Sequence, residues 1–253
     1  MSAPFVIDRQ FNGPATSGNG GYVAGKLAVE LQARQGKAQA VQVTLRAPLT
    51  LDTPLQVIDR PDGSVALFDG DTLLAEAVAT TLPAEVPRPP TLEEARAASA
   101  IGRMRMATRS GNAYLHCFGC GLGKAEHEGL RITPTPAGEA DQVAAEWIPH
   151  EAFADENGLI PPGVVWAAMD CPAGFAWGFK TGEGNASLLT GRITLALAGE
   201  VRPGETYIVT GWPLERVVRF AGAAGALVAT RLGCADEMPA EDEVLSLQER
   251  LEG

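Results

Sequence analysis

Apolar and polar positions run through one order twice along this chain of 253 residues. Residues 18–30 read GNGGYVAGKLAVE and residues 160–172 read IPPGVVWAAMDCP, each a Gly-bearing lead-in followed by a small, apolar helical stretch. Behind the first lies VTLRAPLTLDTPLQV (43–57) and behind the second ITLALAGEVRPGETYIV (193–209), so that Thr44 and Leu45 recur as Thr194 and Leu195 at an offset of 150. In the first copy, Val23, Leu27 and Leu31 with the intervening alanines recur at helical spacing and predict a helix from Tyr22 to Gln35. Four strand-like segments follow at 41–49, 55–59, 64–69 and 72–82, divided by turns bearing Pro, Gly and Asp. The proline-dense run 83–90 breaks structure. Thr91 as N-cap with Glu94 three residues on has capping-box spacing and starts a short helix inside a linker, 83–113.

The second copy repeats the order. A hairpin at 130–136 and 142–149 precedes its helix, and strands near 188–199, 205–214, 216–221 and 224–233 follow. The reading is an N-terminal unit over 1–82, the linker, a C-terminal unit over 114–233 and an acidic helical tail over 234–253. A helix followed by an antiparallel meander, present twice, predicts an α+β fold in which each unit lays a helix across a curved sheet.

Composition narrows the function classes. With 45% hydrophobic residues the chain can bury a real core. The longest apolar runs fall short of the roughly 20 residues a membrane span needs, and the N-terminus does not read as a signal peptide, so a cytoplasmic protein with no membrane partner is expected. Four cysteines, at 117, 120, 171 and 234, argue against a disulfide scaffold. A net charge of −11 repels polyphosphates at long range, which speaks against nucleic acid as a partner.

The second unit resembles the hotdog-fold acyl-coenzyme A thioesterases, and within them the PaaI-like branch. The resemblance rests on C-F-G-C-G-L from Cys117, on G-L-I-P-P-G-V-V-W-A-A-M-D (158–170) against the family's G-x-x-H-G-G-x-x-x-x-x-x-D, and on V-R-P-G-E (201–205). It implies that the two units pair as a double hotdog, an intramolecular pseudo-dimer. It also implies a site between the two helices, where a backbone N–H at one helix start polarises the thioester carbonyl and a carboxylate on the other helix acts as base or nucleophile. A helix N-terminus does offer unsatisfied donors and a favourable dipole for such chemistry.

The two copies differ where that site would lie. Pro161 and Pro162 stand at the motif's His and first Gly, so the second copy has lost the N–H donor, while Asp170 lies seven residues after Gly163, nearly two helical turns on. The first copy keeps Asn19, Gly20 and Gly21 but has Ala28 at the carboxylate position. Each retains what the other lost. The expectation is one composite site with Asp170 as base or nucleophile, Gly20 as oxyanion donor and Asn19 assisting the carbonyl. Gly21, Asn12, Ser17, Trp166, Ser187 and Thr190 are the substrate-binding candidates, and Arg46, Lys180 and Arg192 are the cations available to phosphate. The implied function is hydrolysis of an acyl-coenzyme A or acyl-carrier thioester, with no cofactor beyond the coenzyme A of the substrate; the alternative is an inactive acyl-thioester or lipid-binding protein. A hydratase is disfavoured because none of the three histidines lies on either helix. His116, Cys117, Cys120 and His127 invite a zinc reading, but the spacing to His127 fits no common finger and no second Cys-x-x-Cys exists, so no metal is expected. A homodimer is compatible with the sequence, which does not settle the oligomeric state.

Overall fold

The computed structural model of the chain describes residues 4–82, 86–108, 114–139, 141–182 and 189–213. It is an α+β arrangement of antiparallel sheets and long helices, as the patterning predicts. The first helix, α1, spans Gly20–Gln35, and Asn19 caps it by accepting the Tyr22 N–H on its side chain at 2.9 Å, a favoured N-cap interaction. The stripe Val23, Leu27 and Leu31 is buried, together with Ala24 and Ala28. Strands β1 (Ala40–Leu45), β2 (Gln56–Asp59), β3 (Val65–Asp69) and β4 (Thr72–Thr80) follow in the expected order.

Helix α2 is Leu92–Thr108. It opens on the expected capping box, with the Thr91 N–H donating to Glu94 Oε2 at 2.7 Å and the Glu94 N–H to Thr91 Oγ1 at 3.3 Å. It is longer than the short linker helix read from the sequence. The reason is a docking face made of Ala95, Ala98, Ser99, Gly102 and Met106, all buried. A Cβ at Gly102 would lie 1.8 Å from the Thr133 carbonyl oxygen, so glycine is what lets the helix approach that closely. The hairpin β5 (Thr135–Pro136) and β6 (Val143–Trp147) precedes helix α3 (Pro162–Thr181), and β7 (Arg192–Leu195) and β8 (Tyr207–Gly211) follow it. Helix α3 continues beyond Pro172, where the sequence pattern breaks off. Proline inside a helix removes one backbone hydrogen bond, and here the apolar positions on its far side, Ala173, Phe175 and Ala176, are buried. The strands read at 216–221 and 224–233 and the acidic tail lie outside the described residues.

Two sheets result, ordered β2-β3-β4-β1-β7 and β5-β6-β8. Strand β7, which follows α3, pairs antiparallel with β1, which follows α1, and Val43 faces Ile193 across that pair. These two residues stand at the offset of 150 that separates the repeated Thr-Leu pairs. One apolar cluster runs from Val23, Leu27 and Val43 through Phe118 to Val164, Trp166 and Val209, so distant parts of the chain share a core. Helices α1 and α3 cross in direct contact: a Cβ at Gly25 would lie 2.7 Å from Gly163 Cα, and one at Gly21 would lie 2.5 Å from the Trp166 carbonyl oxygen. That crossing brings the start of α1 against the middle of α3. Among the described residues no helix is long and apolar enough to cross a membrane.

Candidate functional site

Asp170 meets the N-terminus of α1 at the crossing. The Gly21 N–H donates to its Oδ2 at 2.9 Å. Thr190, just ahead of β7, donates its hydroxyl to Oδ1. The residue is half-buried, yet its carboxyl group is closely surrounded by protein. Desolvation pushes its pKa up to about 6, against the two hydrogen bonds that favour the anion and with the neighbouring Cys117 adding to the rise. A carboxylate with a pKa near the working pH, fixed at both oxygens, is suited to take a proton from water and return it to a leaving group.

The other donors at the start of α1 divide their work. The Tyr22 N–H is capped by Asn19, the Gly21 N–H is held by Asp170, and the Gly20 N–H makes no hydrogen bond among the described residues. Gly20 also borders the carboxylate, since a Cβ there would lie 3.4 Å from Asp170 Oδ2. The arrangement therefore offers a free helix-terminal N–H beside a carboxylate, with the positive end of the α1 dipole behind it.

Four other candidates are committed within the protein. Asn19 is buried; with its Oδ1 on the Tyr22 N–H, its Nδ2 points to Cys117 Sγ at 3.8 Å. Both ends of the amide are thus engaged within the protein. Buried Asn12 donates to the carbonyls of Gly13 and Pro14, and Ser17 Oγ accepts the Leu49 N–H at 2.8 Å, so both shape the loop before α1. Trp166 is buried with its ring against Gly25, filling the helix crossing. Thr190 does reach the site, where its hydroxyl donates to the carboxylate. Ser187 lies outside the described residues. Of the cations, Arg46 pairs with Glu76, Lys180 with Asp141, and Arg192 donates to Thr44 Oγ1. A cleft of about 370 Å³ lies near Lys180, between Pro136, Gln142, Val143 and Phe179, and Asp170 is not among its walls.

The loop Cys117–Leu122 packs on the same helix start. Its Phe118 N–H donates to the Asn12 carbonyl at 2.7 Å, and the Phe118 ring meets Phe11 and Tyr22 edge-on. Cys117, Cys120 and Cys171 of α3 bring their sulfurs within 4.8 Å of one another. Hydrogen bonds shared with the Cys120 and Cys171 side chains, joined by the Cys120 and Gly119 N–H groups, hold Cys117 well below the usual thiol range. The same bonds push Cys120 and Cys171 up. Sequence reasoning missed the third sulfur because it looked for ligands near the Cys-x-x-Cys, whereas Cys171 arrives from a helix 51 residues beyond Cys120. Its place directly after Asp170 was the available signal.

No protein-family model matches the chain, and no curated protein matches it. Among solved structures it is similar to a TesB protein from Mycobacterium avium subsp. paratuberculosis, at 14% identity over 79% of this chain and 76% of that one, with a TM-score of 0.47. It is also similar to a candidate thioesterase from Novosphingobium aromaticivorans, at 13% identity over 83% and 82% of the two chains, with a TM-score of 0.46. A hot dog fold protein of unknown function from Alicyclobacillus acidocaldarius matches at 9% identity over 82% and 79%, with a TM-score of 0.47.

Proposed function

We propose that the chain is a thioesterase of double-hotdog form, hydrolysing an acyl-coenzyme A or acyl-carrier thioester at one site built jointly by α1 and α3. The observation that carries the reading is the 2.9 Å hydrogen bond from Gly21 N–H to Asp170, which joins the half-site kept by one copy to the half-site kept by the other. The register of β1 against β7 supports the double form, since Val43 opposite Ile193 is what a local two-fold between copies offset by 150 residues requires.

In this reading Asp170 takes a proton from water as its oxygen attacks the thioester carbon. The carbonyl oxygen gains negative charge and is met by the free Gly20 N–H, a contact that strengthens in the transition state. The C–S bond then breaks and the leaving thiolate recovers the proton from Asp170. Thr190 and Gly21 hold the carboxylate in place, a change from the substrate-binding roles the sequence suggests for them. The equivalent second site is dead on this reading, because Pro162 supplies no N–H and Ala28 no carboxylate.

The test is release of free thiol from a panel of short, medium, long and aromatic acyl-coenzyme A thioesters, alongside Asp170→Asn. Turnover that depends on Asp170 supports the reading. Absence of turnover across the panel, with acyl-coenzyme A still binding, would replace it with a binding protein.

A further inference from the structure

We propose that Cys117, Cys120 and Cys171 form a binding site for one thiophilic d¹⁰ cation, Zn²⁺ or Cu⁺, on the flank of the α1–α3 crossing. The inference is independent of the thioesterase reading. Geometry carries it. The three sulfurs all lie within 4.8 Å of one another, with Cys117 and Cys171 at 4.0 Å. Zn–S bonds of about 2.3 Å in a tetrahedral site place sulfurs about 3.8 Å apart, so closure on an ion asks only for shifts of an ångström or less.

The surroundings are arranged for an anionic sulfur ligand. The Gly119 and Cys120 N–H groups and the Asn19 amide point at Cys117 Sγ, so its charge is met by fixed donors once a metal displaces the thiol protons. The loop is pinned behind the sulfurs by the Gly121 N–H donating to the Cys117 carbonyl at 2.8 Å. A Cβ at Gly119 would lie 2.8 Å from Cys171 Sγ, and one at Gly121 would lie 2.5 Å from the Cys117 backbone nitrogen. Two glycines thus permit the loop to fold tightly enough to present both of its sulfurs to the helix.

Chemistry selects the cation class. Every ligand atom in the cluster is sulfur, and Met106, Val143, Phe175 and Ala176 pack around Cys117 and Cys120. Soft thiolates in apolar surroundings favour Zn²⁺ and Cu⁺ over the oxygen-seeking Mg²⁺ and Ca²⁺. The two favoured ions differ in what they ask of the site. Three sulfurs satisfy Cu⁺ in a trigonal plane, whereas Zn²⁺ needs a fourth ligand, for which half-buried Cys171 marks the open side. Binding exchanges thiol protons for metal, with no change of oxidation state.

The experiment uses the full chain, reduced and metal-free. Titration with Co²⁺ as a Zn²⁺ reporter reads thiolate charge-transfer absorption, and Cu⁺ is titrated against a chromogenic Cu⁺ chelator. Saturation at one ion per chain in either arm is expected, and the arm with the tighter binding names the metal. Alkylation with and without metal, read by mass spectrometry, should show Cys117, Cys120 and Cys171 protected together while Cys234 labels at an unchanged rate. Cys171→Ser should weaken binding at least 10-fold, and Cys234→Ser should leave it unchanged. The alkylation arm needs no variant, so it decides the matter even if a substitution prevents folding. Failure to bind either ion in the reduced protein, protection of Cys234 in place of Cys171, or an isolated Cys117–Cys120 disulfide that exchanges with thiols and ignores metal would overturn the proposal.

Discussion

Gly21 and Asp170 lie 149 residues apart in the chain, yet the backbone N–H of one donates to the carboxylate of the other at 2.9 Å. Gly21 can sit there because it has no side chain: a Cβ would meet the Trp166 carbonyl oxygen at 2.5 Å and Asp170 Cβ at 2.7 Å. The close helix crossing and the position of the carboxylate are therefore one structural fact. Asp170→Asn keeps the shape and removes the base. We expect thiol release from acyl-coenzyme A to fall about 100- to 10,000-fold, the range for loss of a positioned general base, with the thermal midpoint maintained or raised.

The pH dependence follows from the same carboxylate. Its pKa near 6 means that the ionised base accumulates as pH rises through 6, so kcat/KM should climb between about pH 5 and pH 7 with its midpoint near that value. Stability should move the other way. In the unfolded chain the group titrates near 3.8, and in the folded protein near 6, so between these values the native state holds the proton that the unfolded state releases. That stabilising contribution is fully present below pH 3.8 and fades as pH rises through 6. Urea unfolding of the wild type and of Asp170→Asn, compared across this window, should show the sloping contribution only in the wild type. Parallel curves would show that Asp170 is not held above its ordinary value.

Thr190 gives a second handle on that group. Its hydroxyl donates to Asp170 Oδ1 and favours the anion. Thr190→Val keeps the shape and removes the donor, so the carboxyl pKa should rise and the midpoint of the pH–rate profile should move above 6. An unmoved midpoint with reduced kcat would instead place the hydroxyl on substrate or water.

Much of this architecture was legible in the chain. The stripe of Val23, Leu27 and Leu31, the four strand segments after it and the Thr91–Glu94 capping box are local signals, and they appear as α1, β1 to β4 and the start of α2. The segments that hold Gly20, Gly21 and Asp170 were also singled out by comparing the two halves of the sequence, and they meet in the fold, although the N–H that reaches Asp170 is that of Gly21 and not of Gly20. What stayed hidden depends on contacts between distant segments. Asn19 looked like a polar group for a substrate, but its amide is divided between the Tyr22 N–H and Cys117. The length of α2 depends on Gly102 meeting Thr133, and the third sulfur depends on which face α3 turns toward the Cys117–Leu122 loop. Periodicity identifies a helix face but not the partner it meets.

Glycines at the crossing should prove more exacting than those in turns. Gly25→Ala puts a Cβ 2.7 Å from Gly163 Cα and 2.8 Å from the Trp166 side chain, and backbone on the far side cannot yield as a side-chain tip can. We expect a loss of about 1–3 kcal/mol, the usual cost of overpacking, measured by denaturant midpoint. Gly199→Ala, at an exposed bend, is the comparison: its φ lies outside the left-handed region and nothing lies within 4 Å of its Cβ, so a change within about 0.5 kcal/mol is expected.

The role of the Gly20 N–H can be tested with the start of α3 as the guide. Pro162 opens α3 at its first helical position, a position where proline is well tolerated because the missing N–H has no partner within the helix. Gly20 occupies the same position in α1, and Asn19 before it is already extended, at φ −65° and ψ 128°, as a residue preceding proline prefers. Gly20→Pro should therefore leave the helix in place, with the side chains of Leu45 and Thr190, 3.0 and 3.1 Å from the new Cβ, each giving way by a few tenths of an ångström. What it removes is an N–H beside Asp170 that has no partner among the described residues. If that donor receives the oxyanion, kcat should drop about 100-fold or more while circular dichroism and the acid-side midpoint of the pH profile stay near those of the wild type. A folded variant with undiminished kcat would move the oxyanion contact to another group and leave Asp170 as the only part of the composite site that acts in turnover.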